Sequence, residues 1–175
     1  MRSWTVWMVA ALAACSSKDV PEPVTGDSAS SAPAVPAAAP ATVSLEDFRR
    51  LHWLGGRWRG FMADGKTFYE SYEIRNDSTI LMTGYPDSTF SRPTDNARIV
   101  LRGGKVMNEA GVDGGPQWFA TRLDSTGVDF TPGRGALNAF TWTRESPTKW
   151  NATLRWTDRD GRPQTTVYAL HKIEK

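Results

Sequence analysis

The chain has 175 residues, which is enough for one domain with additional segments. Its single cysteine excludes an intramolecular disulfide and a zinc site built on several thiolates, and two histidines leave little material for a multi-histidine metal centre. The formal net charge of +2, from 21 basic and 19 acidic residues, gives no indication of a nucleic-acid partner. Eight tryptophans, four tyrosines and seven phenylalanines indicate a packed core.

Residues 1–14 have the pattern of an export signal. Arg2 gives a positive start, and an uncharged, mostly apolar stretch runs from Trp4 to Ala14. This stretch is shorter than the roughly 20 residues that a membrane-spanning helix needs. It ends in Leu12-Ala13-Ala14-Cys15, which resembles the lipobox of bacterial lipoproteins. The alternative is an ordinary signal peptide with a chance cysteine.

The lipobox resemblance implies a processing route and a location. It implies cleavage before Cys15 and acylation of that residue, so the predicted partner is the membrane, through a lipid anchor at Cys15. Ser16 and Ser17 follow the cysteine, which under the sorting rule of such lipoproteins implies the outer membrane, facing the periplasm. The oligomeric state stays open.

Residues 15–43 are predicted to form the acylated cysteine and a disordered tether. From Ser16 to Val43 the chain is rich in Ala and Ser, contains five prolines and has no aromatic residue. Such a segment buries too little apolar surface to offset its ordering entropy. We therefore expect it to hold a folded domain, residues 44–175, away from the bilayer.

The folded domain is predicted to begin with one short helix. Ser44-Leu45-Glu46-Asp47 resembles a capping box, and Leu45, Phe48 and Leu51 follow at helical spacing. Gly55-Gly56 then ends the helix.

Beyond the helix, apolar residues alternate with polar ones and turn signals recur every eight to twelve residues or so. This pattern predicts an all-β fold, an antiparallel up-and-down barrel of about ten strands with the helix over one open end. A β-sandwich is the alternative. The predicted strands are Arg57 to Ala63, Lys66 to Arg75, Thr79 to Tyr85, Asn96 to Arg102, Lys105 to Ala110, Gln117 to Leu123, Val128 to Phe130, Asn138 to Glu145, Thr148 to Thr157 and Arg162 to Ile173.

The start of the first predicted strand carries a family resemblance. Gly56-Arg57-Trp58 looks like the Gly-x-Trp element of calycin-like barrels, which include lipocalins, fatty-acid-binding proteins and nitrobindins. The resemblance implies that the Trp58 indole plugs the barrel floor. A longer pattern combines this element with two later segments, Tyr69-Glu70-Ser71-Tyr72 and Leu81-Met82-Thr83-Gly84. It resembles the bacterial domain-of-unknown-function family 6265. That family's late His-Asp-Phe-Pro segment is missing here, where Phe130 to Leu137 stands instead.

Glu70 is the carboxylate of greatest interest. It shares strand parity with Phe68, Tyr72 and Ile74, so we predict that it faces the barrel interior. A carboxylate there needs a partner, or its pKa rises. A functional role would make it a ligand-orienting group or a proton acceptor; the alternatives are a structural ion pair with an inward arginine, or a strand of the opposite parity.

The last two strands supply the other candidates. Trp150, Ala152, Leu154 and Trp156 share one face, which we predict points inward. In the final strand the more apolar set is Val167, Ala169, His171 and Ile173, with burial of Tyr168 and Leu170 as the alternative. The nitrobindin resemblance implies that His171 is a haem ligand, whereas a lone histidine is more often a packing residue.

Three functional hypotheses follow. The first is a small apolar or amphipathic ligand held inside a tethered barrel, with Glu70, Tyr72, His171, Trp150 and Trp156 as candidate binding residues. The second is a structural envelope protein with a barrel that is filled by its own side chains. The third is an enzyme or a haem protein, the least favoured, since no catalytic constellation or metal motif is visible and haem at His171 is the sole cofactor considered. A cavity above about 300 Å³ would favour the first.

Overall fold

The computed structural model describes residues 39–111 and 114–174. The predicted signal segment, Cys15 and most of the predicted tether lie outside the described residues. In the part that is described, none of the helices has the length and apolar character needed to span a bilayer.

The predicted capping box forms. The Ser44 hydroxyl accepts a hydrogen bond from the backbone N–H of Asp47 at 3.1 Å, and the Asp47 carboxylate accepts one from the backbone N–H of Ser44 at 3.3 Å. Helix α1 spans Leu45–Arg49, and a 3₁₀ helix continues over Arg50–Leu54. Phe48, Leu51 and Leu54 are fully buried, so this helical segment packs its apolar face onto the barrel.

Ten antiparallel strands form a closed barrel, as predicted, rather than a sandwich. Each strand pairs with the next in the chain, and the first also pairs with the last. The alternation of apolar and polar residues places one side of each strand in the core. The strands are β1 (Gly56–Phe61), β2 (Thr67–Asn76), β3 (Thr79–Tyr85), β4 (Asp95–Arg102), β5 (Lys105–Ala110), β6 (Gln117–Leu123), β7 (Gly127–Pro132), β8 (Asn138–Ser146), β9 (Lys149–Thr157) and β10 (Pro163–Lys172).

The helix end of the barrel is filled by large side chains. Trp58 is fully buried, and its indole N–H donates a 2.6 Å hydrogen bond to the backbone carbonyl of Leu54. The Trp58 ring lies edge-to-face against Trp150, with ring centroids 6.0 Å apart. Trp58 therefore closes the barrel floor, as the Gly-x-Trp resemblance implied, and ties β1 to the helical segment.

The predicted parity of the last strand is wrong. Leu170 is buried, whereas Val167 is 51% exposed and His171 is exposed. The pairing explains the difference, because Leu170 lies opposite Trp150 on one neighbouring strand and opposite Gly60 on the other, both of which face inward. Both faces of β10 carry apolar residues, so alternation alone did not distinguish them.

The end of the predicted tether packs on the barrel. The backbone N–H of Ala41 donates to the carbonyl of Ala120, and that of Val43 donates to the carbonyl of Gly104, each at 2.8 Å. The side chain of Val43 is buried in the core. The packed domain thus includes residues that composition alone assigned to the tether.

Removing this docked segment is expected to destabilise the domain. A chain that starts at Ser44 loses the buried Val43 side chain, which is worth about 1.5–3 kcal/mol, whereas a chain that starts at Ala39 keeps it. Thermal unfolding should show a melting temperature several degrees lower for the shorter chain. Equal melting temperatures for the two chains would show that residues 41–43 contribute nothing to stability.

Candidate functional site

A cavity of about 110 Å³ lies inside the barrel, beyond the filled helix end. The helical segment leads into β1, so β1 begins at the helix end of the barrel. Neighbouring strands run in opposite directions, so the even-numbered strands begin at the other end. Asp95 and Asn138 are the first residues of β4 and β8, and both line the cavity. Asn96, the next residue of β4, also lines it.

The walls of the cavity are mainly aromatic. Tyr72, Trp142 and Trp150 form an edge-to-face cluster, with ring centroids 5.5 to 6.2 Å apart. The other aromatic lining residues are Phe68, Trp118 and Phe140. Such walls offer both apolar contact area and electron-rich ring faces to a ligand.

Two carboxylates share one side of the cavity. Glu70 lies opposite Gly84 in the β2–β3 pairing, and Gly84 lies opposite Asp95 in the β3–β4 pairing. A Cβ atom at position 84 would overlap Oδ1 of Asp95. Glycine at this position therefore makes room for the Asp95 side chain inside the barrel, beside Glu70.

Glu70 is held by a hydroxyl and not by a cation. The Tyr72 hydroxyl donates a 2.8 Å hydrogen bond to Oε2 of Glu70. Burial raises the pKa of Glu70 from 4.5 to about 7; the Tyr72 hydrogen bond opposes this rise, and the nearby charge of Asp95 adds to it. Of the described residues that line the cavity, none is lysine, arginine or histidine. The inward ion pair considered for Glu70 is thus replaced by a Tyr72–Glu70 hydrogen bond.

Asp95 and Tyr72 respond to the same environment. Burial raises the pKa of Asp95, an effect that a backbone hydrogen bond from Gly84 opposes. Burial, and then the neighbouring Glu70, raise the pKa of Tyr72, so its hydroxyl stays protonated as the donor to Glu70. The lining consequently combines one fixed donor with two carboxylates that prefer protonation or a positively charged neighbour.

Three buried polar atoms of the lining have no hydrogen-bond partner among the described residues. They are Oδ1 of Asp95, Oδ1 of Asn108 and Nε1 of Trp150. A buried polar group left in this state costs about 1–3 kcal/mol. The lining residues therefore carry two acceptor atoms and one donor atom whose burial is not offset by a hydrogen bond within the described residues.

The structure brings together three of the five predicted site residues. Glu70, Tyr72 and Trp150 all line the cavity. Trp156 is half-buried against the core but does not line the cavity. Trp118 and Trp142 do line it and belong to its aromatic walls.

His171 lies on the outer face of the barrel. Its ring packs edge-to-face on Phe61, with centroids 5.3 Å apart, and it takes no part in the cavity. The haem role that the nitrobindin resemblance implied therefore has no support from the placement of His171. Across residues 39–111 and 114–174, no group of three or more His, Cys, Asp or Glu side chains is arranged to hold a metal ion.

Sequence reasoning missed Asp95 and Asn108. The predicted strand begins at Asn96, one residue after Asp95, yet Asp95 shares parity with Ala97 and Ile99, whose side chains are buried. Asn108 interrupts an otherwise apolar face between Val106 and Ala110. In each case, a polar residue in register with buried apolar residues was the available signal.

No family model and no curated protein matches the chain. Among solved structures, the chain is similar to a redesigned beta barrel at 15% sequence identity and a TM-score of 0.34. That similarity covers 73% of this chain and 96% of the other. The strand pairing and the cavity lining together define a closed ten-stranded β-barrel with a small cavity that contains two carboxylates.

Proposed function

We propose that the protein is a lipid-anchored protein of the bacterial cell envelope whose barrel binds a small amphipathic ligand. The observation that carries this proposal is the cavity, where aromatic walls meet buried acceptors without partners. Its volume of about 110 Å³ does not reach the roughly 300 Å³ that the sequence analysis set as favouring a ligand, so the proposal rests on the lining of the cavity and not on its size. The ligand is therefore small, comparable to benzene, which fits an engineered protein cavity of about 150 Å³.

The filled-barrel alternative accounts for only half of the molecule. Trp58, Trp150 and Leu54 fill the helix end with apolar contacts, as a purely structural barrel requires. A filled barrel does not need Asp95 and Asn108 as inward acceptors, because each adds a desolvation cost and no packing benefit. These two residues favour ligand binding.

The position of the chain's N-terminal side agrees with a membrane anchor. Ala41 and Val43 reach the barrel by hydrogen bonds to Ala120 and to Gly104, which lies in the β4–β5 turn at the helix end. The cavity lies toward the opposite end. The chain therefore enters the domain at the helix end, opposite the end where the cavity-lining residues Asp95 and Asn138 lie.

The anchoring half of the proposal is tested at Cys15. The Cys15→Ala variant should leave the membrane fraction, and wild-type protein should incorporate labelled palmitate. Cys15 is the only cysteine of the chain, so a thioether-linked diacylglyceryl group that carries labelled acyl chains has one site to occupy. A variant that still sediments with membranes, together with an unlabelled wild type, would overturn the lipid anchor.

The binding half is tested with three four-carbon probes: n-butanol, n-butylammonium and n-butyrate. At least one probe should shift the indole resonances of Trp142 and Trp150 in NMR spectra of the full-length chain. The Ala110→Leu variant, which adds volume to the cavity wall, should weaken that response, whereas Ala139→Leu, at a position that does not line the cavity, should not. If none of the probes shifts either resonance, the ligand-binding function is wrong.

A further inference from the structure

We propose that the cavity selects a small organic cation with N–H donors, such as a primary ammonium compound, over neutral and anionic molecules of the same size. The inference rests on the proposed ligand-binding function and names the chemistry of the ligand. It depends on three independent features of the lining: its charge, its unpartnered acceptors and its aromatic faces.

The charge of the lining has one sign. Glu70 and Asp95 are the charged groups that line the cavity among the described residues. At the helix end, Lys172 lies over the Trp58 ring at 5.3 Å and Arg144 lies over the Trp53 ring at 6.0 Å. Neither lines the cavity, so a ligand supplies the positive charge that the two carboxylates lack.

Asn108 provides evidence independent of the carboxylates. Its side chain is 8% exposed, it lines the cavity from β5, and its Oδ1 atom has no donor among the described residues. Together with Glu70 and Asp95 it gives the cavity three side-chain acceptors. A primary ammonium group carries three N–H donors and no acceptor, which matches this set, whereas an alcohol carries a single donor.

The aromatic cluster favours the same ligand. A cation within about 6 Å of a ring face is attracted by the ring quadrupole, most strongly by tryptophan. Trp142 and Trp150 both line the cavity beside Tyr72, and Tyr72 also donates to Glu70. The same walls accommodate the short alkyl part of an amine. An anion would meet two carboxylates and electron-rich rings, and the unpartnered Trp150 N–H is the one feature of the described lining that would favour it, so we expect it to bind most weakly.

The test compares the three four-carbon probes on the full-length chain and its variants. We expect n-butylammonium to bind about tenfold more tightly than n-butanol, and n-butyrate to bind most weakly. Glu70→Gln and Asp95→Asn should each weaken n-butylammonium binding about tenfold and leave n-butanol binding within about twofold of wild type. Glu73→Gln is the matched control, because Glu73 is exposed on the other face of β2.

The outcomes separate the two proposals. Equal affinity for n-butanol and n-butylammonium, with both lost in Ala110→Leu, overturns cation selection and leaves ligand binding intact. Absence of binding by every probe overturns both. Thermal unfolding of each variant is measured first, and if Glu70→Gln does not fold, Asp95→Asn decides the question. An unchanged n-butylammonium affinity in a folded Asp95→Asn variant also overturns cation selection.

Discussion

Trp58→Ala is expected to lower the free energy of unfolding by about 3–5 kcal/mol, which is the range for removing a large buried aromatic side chain. Trp58 is fully buried, it packs against Trp150, and it bonds to the carbonyl of Leu54. The variant therefore loses apolar contacts inside the barrel and the link to the helical segment together. Urea unfolding monitored by far-UV circular dichroism measures the change.

Two controls define what the tryptophan contributes. Trp58→Phe retains a ring but not the N–H donor, so it should cost less than Trp58→Ala. Leu137→Ala removes a side chain that is 87% exposed and should change stability by less than about 0.5 kcal/mol. A loss below about 1 kcal/mol for Trp58→Ala would contradict its role as the floor of the barrel.

Glu70→Gln is expected to raise stability at pH 8 and to leave it little changed at pH 4. Because the folded-state pKa of Glu70 is raised from 4.5 to about 7, the folded state holds the proton more tightly than the unfolded state. The contribution of this group to stability is then fully present below pH 4.5 and is lost as the pH rises through 7. At about 1.4 kcal/mol per pH unit the loss reaches about 3 kcal/mol, and glutamine removes it.

The measurement is urea unfolding at several pH values between 4 and 8. Asp95, whose pKa burial also raises, keeps a smaller slope of the same sign in the variant. Glu73→Gln, on the exposed face of the same strand, should follow the wild-type profile. Destabilisation of Glu70→Gln by about 3–5 kcal/mol at pH 8 would instead reveal a buried cation partner for Glu70.

Local rules were enough to predict most of the fold. The capping box at Ser44 and Asp47, the hairpin turns and the alternation along each strand depend on neighbours in sequence, so the sequence displays them directly. The inward position of Glu70 belongs to this class, because Phe68 and Tyr72 mark the same face of β2. In β10 both faces carry apolar residues, so alternation does not indicate which face points inward. The prediction therefore placed His171 on the wrong face.

The site could be predicted only in part, because it depends on contacts between strands. That Gly84 separates Glu70 from Asp95 follows from the register of three strands, which no single segment specifies. Gly60 has a similar role, since a Cβ atom there would overlap the ring of Phe68. The lining side chains of Asp95 and Phe68 thus occupy space that only glycine leaves free on the neighbouring strand, whereas a sequence pattern indicates such a glycine simply as a turn former or a strand breaker.

The unequal lengths of the first and last strands have a consequence for the wall of the barrel interior. The β1–β10 pairing covers four residue pairs, from Trp58–Lys172 to Phe61–Ala169, and the remainder of β10, Pro163–Tyr168, pairs with β9 alone. Beside that remainder, the edge-to-face contact of Phe68 with Tyr168 joins β2 to β10, with centroids 5.8 Å apart. Because Phe68 also lines the cavity, the cavity wall on this side includes a ring contact at a stretch where β1 provides β10 with no ladder hydrogen bonds.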